Sequence, residues 1–122
     1  MAKILVVEDD KEVAESLVRF LKSRSYDASC VFDGDEAMSA ISKNKPDLIF
    51  LDIQLPGSRN GIGVLEEAKK IDANIKIIMM TGYVGEETEE ECKKLGANDY
   101  MIKPIDFPKM INILKQLDEG KI

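Results

Sequence analysis

The sequence predicts an α/β protein: a single doubly wound domain, with an open parallel sheet of five strands and helices on both faces. Three observations predict it. Short apolar runs recur five times along the 122 residues, each followed by a segment with apolar residues at helical spacing. The runs Lys3–Val7 and Leu48–Leu51 are apolar at both side-chain parities, as in strands covered on both faces. The length suits one domain, and no repeat, linker or low-complexity tract interrupts the alternation.

Lys3 to Val7 reads as a buried strand. Asp9 and Asp10 follow and can cap a helix over about Lys11 to Ser23, with Val13, Leu17, Phe20 and Leu21 on its apolar face. Tyr26 to Phe32 alternates weakly, as an edge strand does. Gly34 to Asn44 is helical, with Ala37, Met38 and Ile41 on one face, and Pro46 ends it. DLIFLDIQLPG, Asp47 to Gly57, contains the third strand, with Asp52 inside its apolar run. GSRNG is a loop by composition, and a helix over Gly63 to Lys70 turns Leu65 and Ala68 inward. NIKIIMMTG is a fourth buried strand. The acidic helix GEETEEECKKLG then stops at Gly96, its glutamates reading as a solvated face with acids favoured near the N-terminus. NDYMIKP gives a short fifth strand. Asp106 to Asp118 is a helix with Phe107, Met110, Ile111, Leu114 and Leu117 on one side.

Composition excludes several function classes. Apolar residues make up 44% of the chain and charged residues 33%, ordinary values for a soluble globular protein. The net charge of −6 speaks against a general attraction to nucleic acid or to an anionic membrane. Apolar runs are only a few residues long, so no transmembrane helix or signal-peptide core is expected. Cys30 and Cys92 lack metal-type spacing and read as reduced, partly buried thiols in a cytoplasmic protein. Histidine is absent, which removes Ser–His and Cys–His catalysis and most zinc chemistry. Any histidine in the mechanism therefore comes from another chain.

Asp52 demands an explanation, because burying an unpaired carboxylate costs several kcal/mol, roughly. In open parallel sheets, ligands bind outside the carboxyl ends of the strands. That edge collects Glu8, Asp9 and Asp10 after the first strand, Asp52 after the third, Thr81 and Gly82 after the fourth, and Lys103 and Pro104 after the fifth. Clustered carboxylates repel, and a hard divalent cation such as Mg²⁺ relieves that repulsion through oxygen ligands. A carboxylate is also a nucleophile toward phosphorus. Phosphoryl transfer asks chiefly for positioning and for neutralisation of the equatorial oxygens. Mg²⁺, the Lys103 ammonium, the Thr81 hydroxyl and backbone N–H groups would supply these. Taken singly, Asp9 and Asp10 serve as helix caps, Thr81 as turn chemistry and Lys103 as a loop lysine. Their coincidence at one end of four strands is what points to a site.

ILVVEDD, DLIFLDIQLPG, MMTG and GANDYMIKP together resemble the receiver domain of two-component response regulators, of the chemotaxis-regulator kind, over essentially residues 1–122. The resemblance implies strand order 2-1-3-4-5 and a phosphorylation-dependent signalling switch rather than an enzyme acting on other molecules. Asp52 would be the phosphoacceptor, charged from a phosphohistidine on a partner histidine kinase or histidine phosphotransfer protein. Asp10, Asp52 and the backbone carbonyl of Gln54 would ligate Mg²⁺ (or Mn²⁺), with Asp9 acting through water. Lys103 would pair with the phosphoryl group, ahead of a cis bond at Pro104. Thr81 and Tyr100 would switch inward on activation and remodel the face of helix four, strand five and helix five. Effectors or a second receiver would dock there. The acidic fourth helix suggests a basic partner whose binding weakens at high salt.

The chain also departs from the family. Pro56-Gly57-Ser58-Arg59-Asn60-Gly61 is one residue longer than the usual Pro-Gly-x-Asp-Gly, with Asn60 in place of an acid. Gly63 stands where a larger polar residue is usual, so helix three is expected to begin late or loosely. Arg59 either reaches the phosphoryl group or a partner's acids, or is a solvated loop arginine, the reading preferred. Tyr83 either shields the phosphoryl group from water, with Gln54 as the other lever, or is an exposed loop tyrosine. Two alternatives remain for the whole protein. A degenerate receiver acting as a constitutive interaction module would have lost an acid, the threonine or the lysine, and all are present. An aspartyl-phosphate phosphatase typically needs a second acid where Gln54 stands. No nucleotide-binding glycine motif occurs. LDEGKI closes the chain soon after the last helix, which fits either a stand-alone receiver or one taken from a larger protein.

Overall fold

Side chains alternate across a strand, so in a sheet covered on both faces each strand feeds two cores. The computed structural model describes residues 2–82 and 86–122. Its elements are β1 (Lys3–Val7), α1 (Lys11–Ser23), β2 (Asp27–Val31), α2 (Gly34–Lys43), β3 (Leu48–Asp52), α3 (Gly61–Ile71), β4 (Lys76–Thr81), α4 (Glu86–Lys94), β5 (Asp99–Ile102) and α5 (Phe107–Asp118). The strands pair in parallel in the order β2-β1-β3-β4-β5, as expected. Ile4, Val6, Leu48, Phe50, Ile78 and Met80 pack against Ala14, Leu17 and Leu21 of α1 and Met110, Ile113 and Leu114 of α5. Leu5, Val7, Ile49, Leu51, Ile77 and Met79 pack on the other face against α2, α3 and Cys92 of α4.

The same alternation positions the site. Glu8 extends the row of Ile4 and Val6, and Asp52 extends the row of Leu48 and Phe50. The register pairs Val6 with Phe50 and Val7 with Leu51. The two acids therefore emerge side by side at the carboxyl ends of neighbouring strands. Backbone bonds continue this edge past the strands, with Glu8 N donating to Val31 O (3.1 Å) and Ile53 N to Met80 O (3.0 Å).

Helix ends follow side-chain caps. Asp10, Asp33 and Asp106 accept from the backbone N–H three residues on and open α1, α2 and α5. Gly96, at φ +104, ends α4 in the left-handed conformation, with Ala97 N donating to Cys92 O (3.0 Å) and Gly96 N to Lys93 O (3.1 Å).

Two expectations are corrected. Helix α3 begins at Gly61, not at Gly63, because Asn60 Oδ1 accepts from Gly63 N at 2.9 Å and caps the first turn. The buried face of α5 uses Met110, Ile113 and Leu114, while Ile111 is half-buried and Phe107 is 41% exposed with its ring 4.9 Å from that of Phe20. Replacing Asn60 with alanine is expected to lower the unfolding free energy by about 1 kcal/mol. Urea unfolding reads this directly, and an unchanged midpoint would show that the cap contributes nothing.

Cys30 is half-buried and Cys92 buried, and both are free thiols. No helix among the described residues is long and apolar enough to cross a membrane.

Candidate functional site

The two acids at the strand ends are almost wholly inaccessible: Glu8 is 0% exposed and Asp52 4%. Their charges are met by donors rather than left bare. Lys103, one residue past β5, bridges them, with its Nζ bonded to Glu8 Oε1 and lying 2.9 Å from Asp52 Oδ2. The second oxygens also have partners. Glu8 Oε2 accepts from Asp10 N (3.2 Å), and Asp52 Oδ1 accepts from Gln54 N (3.1 Å). Among the described residues no buried side-chain nitrogen or oxygen lacks a partner.

Burial alone pushes the Lys103 ammonium toward losing its proton, but hydrogen bonds and charges from Glu8 and Asp52 outweigh it and the pKa is raised. Its stabilising contribution is therefore fully present below the ordinary lysine value of 10.5 and is lost only as pH rises beyond it. The Asp9 carboxyl also stands above its usual range. Hydrogen bonding to Glu8 contributes most, then burial and repulsion by Glu8, with Lys103 opposing.

Glu8, Asp9 and Asp52 each place a carboxylate oxygen within 4.8 Å of the others. One ammonium against three carboxylates leaves two negative charges uncompensated, which suits a hard divalent cation with oxygen ligands. The expected acid set is corrected here. Asp10 lies outside the cluster, because its Oδ1 accepts from Val13 N (3.2 Å) as the cap of α1, and Glu8 takes its place. The strand parity of Val6 and Glu8 was the signal that finds this residue. Gln54 presents its N–H to Asp52.

The remaining residues fall into place by register. Thr81 ends β4, one residue beyond the partner of Asp52, and is buried at 1% exposure. Tyr100 is also buried, pairing with Met79 in register and packed in the core on the α2–α4 face. The Lys103–Pro104 peptide is cis. Arg59 does not reach Asp52: its Nε pairs with Asp35 Oδ1 at 3.3 Å, at the start of α2. Tyr83 lies outside the described residues.

Known proteins share this arrangement of strands and helices. The chain is similar to a two-component response regulator from Clostridium difficile, with 26% identity, a TM-score of 0.92 and coverage of 98% of this chain and 97% of that one. It is similar to a CheY-like response regulator receiver domain protein from Methanospirillum hungatei JF-1, with 30% identity, a TM-score of 0.91 and coverage of 98% and 95%. A third similarity is to NtrX from Brucella abortus, solved with ADP, at 32% identity and a TM-score of 0.89; the match takes in 98% of this chain but 27% of NtrX. The family model of the response regulator receiver domain matches residues 4–115, from β1 into α5, and the chain therefore belongs to the family of response regulator receiver domains.

Proposed function

We propose that this receiver, residues 1–122 taken as one domain, is a phosphorylation-dependent switch whose phosphoacceptor is Asp52. The observation that carries the reading is the state of that carboxylate: nearly buried, fixed by Lys103 Nζ and Gln54 N, and set among Glu8 and Asp9. An oxygen of the Asp52 carboxylate forms the bond to phosphorus as the donor's P–N bond breaks, and the leaving imidazole nitrogen takes up a proton from solvent. The donor is a phosphohistidine on a histidine kinase or phosphotransfer protein, since this chain has no histidine.

Lys103 and the Gln54 N–H are placed to neutralise and orient the transferred oxygens. Glu8, Asp9 and Asp52, together with the Gln54 carbonyl, would hold Mg²⁺ or Mn²⁺, which when bound supplies charge neutralisation at the phosphoryl group. Thr81 and Tyr100 form the switch, and α4, β5 and α5 form the face that effectors or a second receiver read, in the cytoplasm.

Incubation with Mg²⁺ and acetyl phosphate, followed by intact mass measurement, tests the reading. A gain of one phosphoryl group in the parent and none in Asp52→Asn is the expected result. No gain in a folded parent protein would instead make this chain a phosphorylation-independent interaction module.

A further inference from the structure

The segment between β3 and α3 carries the group that orients Asp52, the Gln54 N–H at 3.1 Å from Oδ1. Its far end rests on the start of α2. A methyl group on Gly34, the first residue of α2, would stand 2.5 Å from Arg59 O, 2.9 Å from its Cβ and 3.0 Å from its Cγ. Arg59 is thus seated directly on the α2 backbone, by its own main chain and by the stem of its side chain. Its guanidinium also reaches Asp35 Oδ1 at 3.3 Å. The next residue, Asn60, caps α3, and Gly61 N donates to Ile53 O at 2.8 Å. One residue therefore ties the segment to α2 just before the chain turns into α3.

We propose that Arg59 is a positioning residue. Seated on Gly34 and tied to Asp35, it holds the β3–α3 segment where Gln54 N–H meets Asp52, and so sets the rate of phosphoryl acceptance. The inference rests on Asp52 being the phosphoacceptor. The ion pair is the weaker half of the device, because its side chains are 38% and 76% exposed and water screens such pairs. The close backbone seat is the stronger half. Helix propensity by itself favours alanine over glycine at position 34; the seat reverses that preference, because an added methyl group meets the Arg59 main-chain oxygen and the Cβ at the root of its side chain, neither of which can swing aside.

The test compares the parent with Arg59→Ala, Arg59→Lys, Asp35→Asn and Gly34→Ala. Three quantities are read: thermal midpoint, amide hydrogen exchange at Gln54, and the acetyl phosphate dependence of phosphorylation with Mg²⁺. Gly34→Ala, which pushes against the seat itself, is expected to make Gln54 exchange about tenfold faster and to lower the maximal rate about tenfold. Arg59→Ala, which keeps the main-chain oxygen and Cβ and loses only the stem and the ion pair, is expected to keep its thermal midpoint and to show smaller changes of the same sign, about threefold. Arg59→Lys, which keeps a stem over Gly34, regains part of both, and Asp35→Asn stays within about twofold of the parent. Parent-like exchange at Gln54 in both Arg59→Ala and folded Gly34→Ala would overturn the proposal. A parent that accepts no phosphoryl group would overturn the phosphoacceptor reading instead, and Gln54 exchange would still decide whether Arg59 positions the segment.

Discussion

Replacing Lys103 with methionine is expected to lower the unfolding free energy at neutral pH by about 3–5 kcal/mol, the range for removing one partner of a buried ion pair. Methionine retains much of the apolar stem, so the loss reports the missing charge rather than a cavity. Glu8 and Asp52, both almost inaccessible, would be left side by side with no ammonium between them. Two further measurements separate this cause from a packing defect. Mg²⁺ should stabilise the variant more than the parent, by up to about 2.7 kcal/mol at a hundredfold excess over its Kd, if the acids regain a cation this way. Glu8→Gln combined with Lys103→Met should be more stable than Lys103→Met alone. A loss below about 1 kcal/mol, insensitive to Mg²⁺, would show that the bridge contributes little. On the proposed function the variant should also accept phosphoryl groups far more slowly, since Lys103 Nζ lies 2.9 Å from Asp52 Oδ2.

How far the site was legible in the sequence follows from which interactions are local. Strand β1 and helix α1 have the bounds expected from sequence, because an unbroken apolar run and an aspartate cap are local signals. That Asp52, Thr81 and Lys103 meet at one edge is legible in the sequence, because each lies at or just past the end of a strand, and strand ends gather there whatever the details. The acids expected to form the cluster, Asp9 and Asp10, stand one residue later than the pair that does, Glu8 and Asp9. Glu8, Asp9 and Asp10 are consecutive, and only pairing with β3 shows that Glu8 stands beside Asp52. The cap is legible in the sequence; that Asp10, engaged there, stays out of the cluster is seen only in the fold. The buried face of α5 lies part of a turn from the expected one, since Ile111 and Ile113 suit a helical stripe about equally and the sheet decides between them.

The β3–α3 segment was the least legible region, and it yields the second large effect. Gly61→Ala is expected to cost about 3 kcal/mol, at the upper end of the usual range for overpacking, and to slow phosphoryl acceptance about a hundredfold. Gly61 is the first residue of α3, where propensity prefers alanine by about 1 kcal/mol. That preference is overridden, because a Cβ there would lie 2.0 Å from Asp52 O, 2.7 Å from Ile53 Cα and 2.8 Å from Asp52 C. All three are main-chain atoms, so relief requires moving the backbone that carries Asp52 or sliding α3 away from it. Gly63→Ala, two residues on, is the control. Its Cβ would meet Arg59 Cγ at 3.5 Å and Asn60 Oδ1 at 3.7 Å, ordinary contacts, so helix propensity prevails and stability should rise by up to about 1 kcal/mol. The pair has opposite expected signs although both changes are glycine to alanine in the same helical turn. Equal effects in denaturant unfolding would mean that α3 does not press on the Asp52 main chain. A destabilised Gly61→Ala that still takes up phosphoryl groups at the parent rate would mean that it does, but that the carboxylate is held by Lys103 and Gln54 independently of the backbone beneath it.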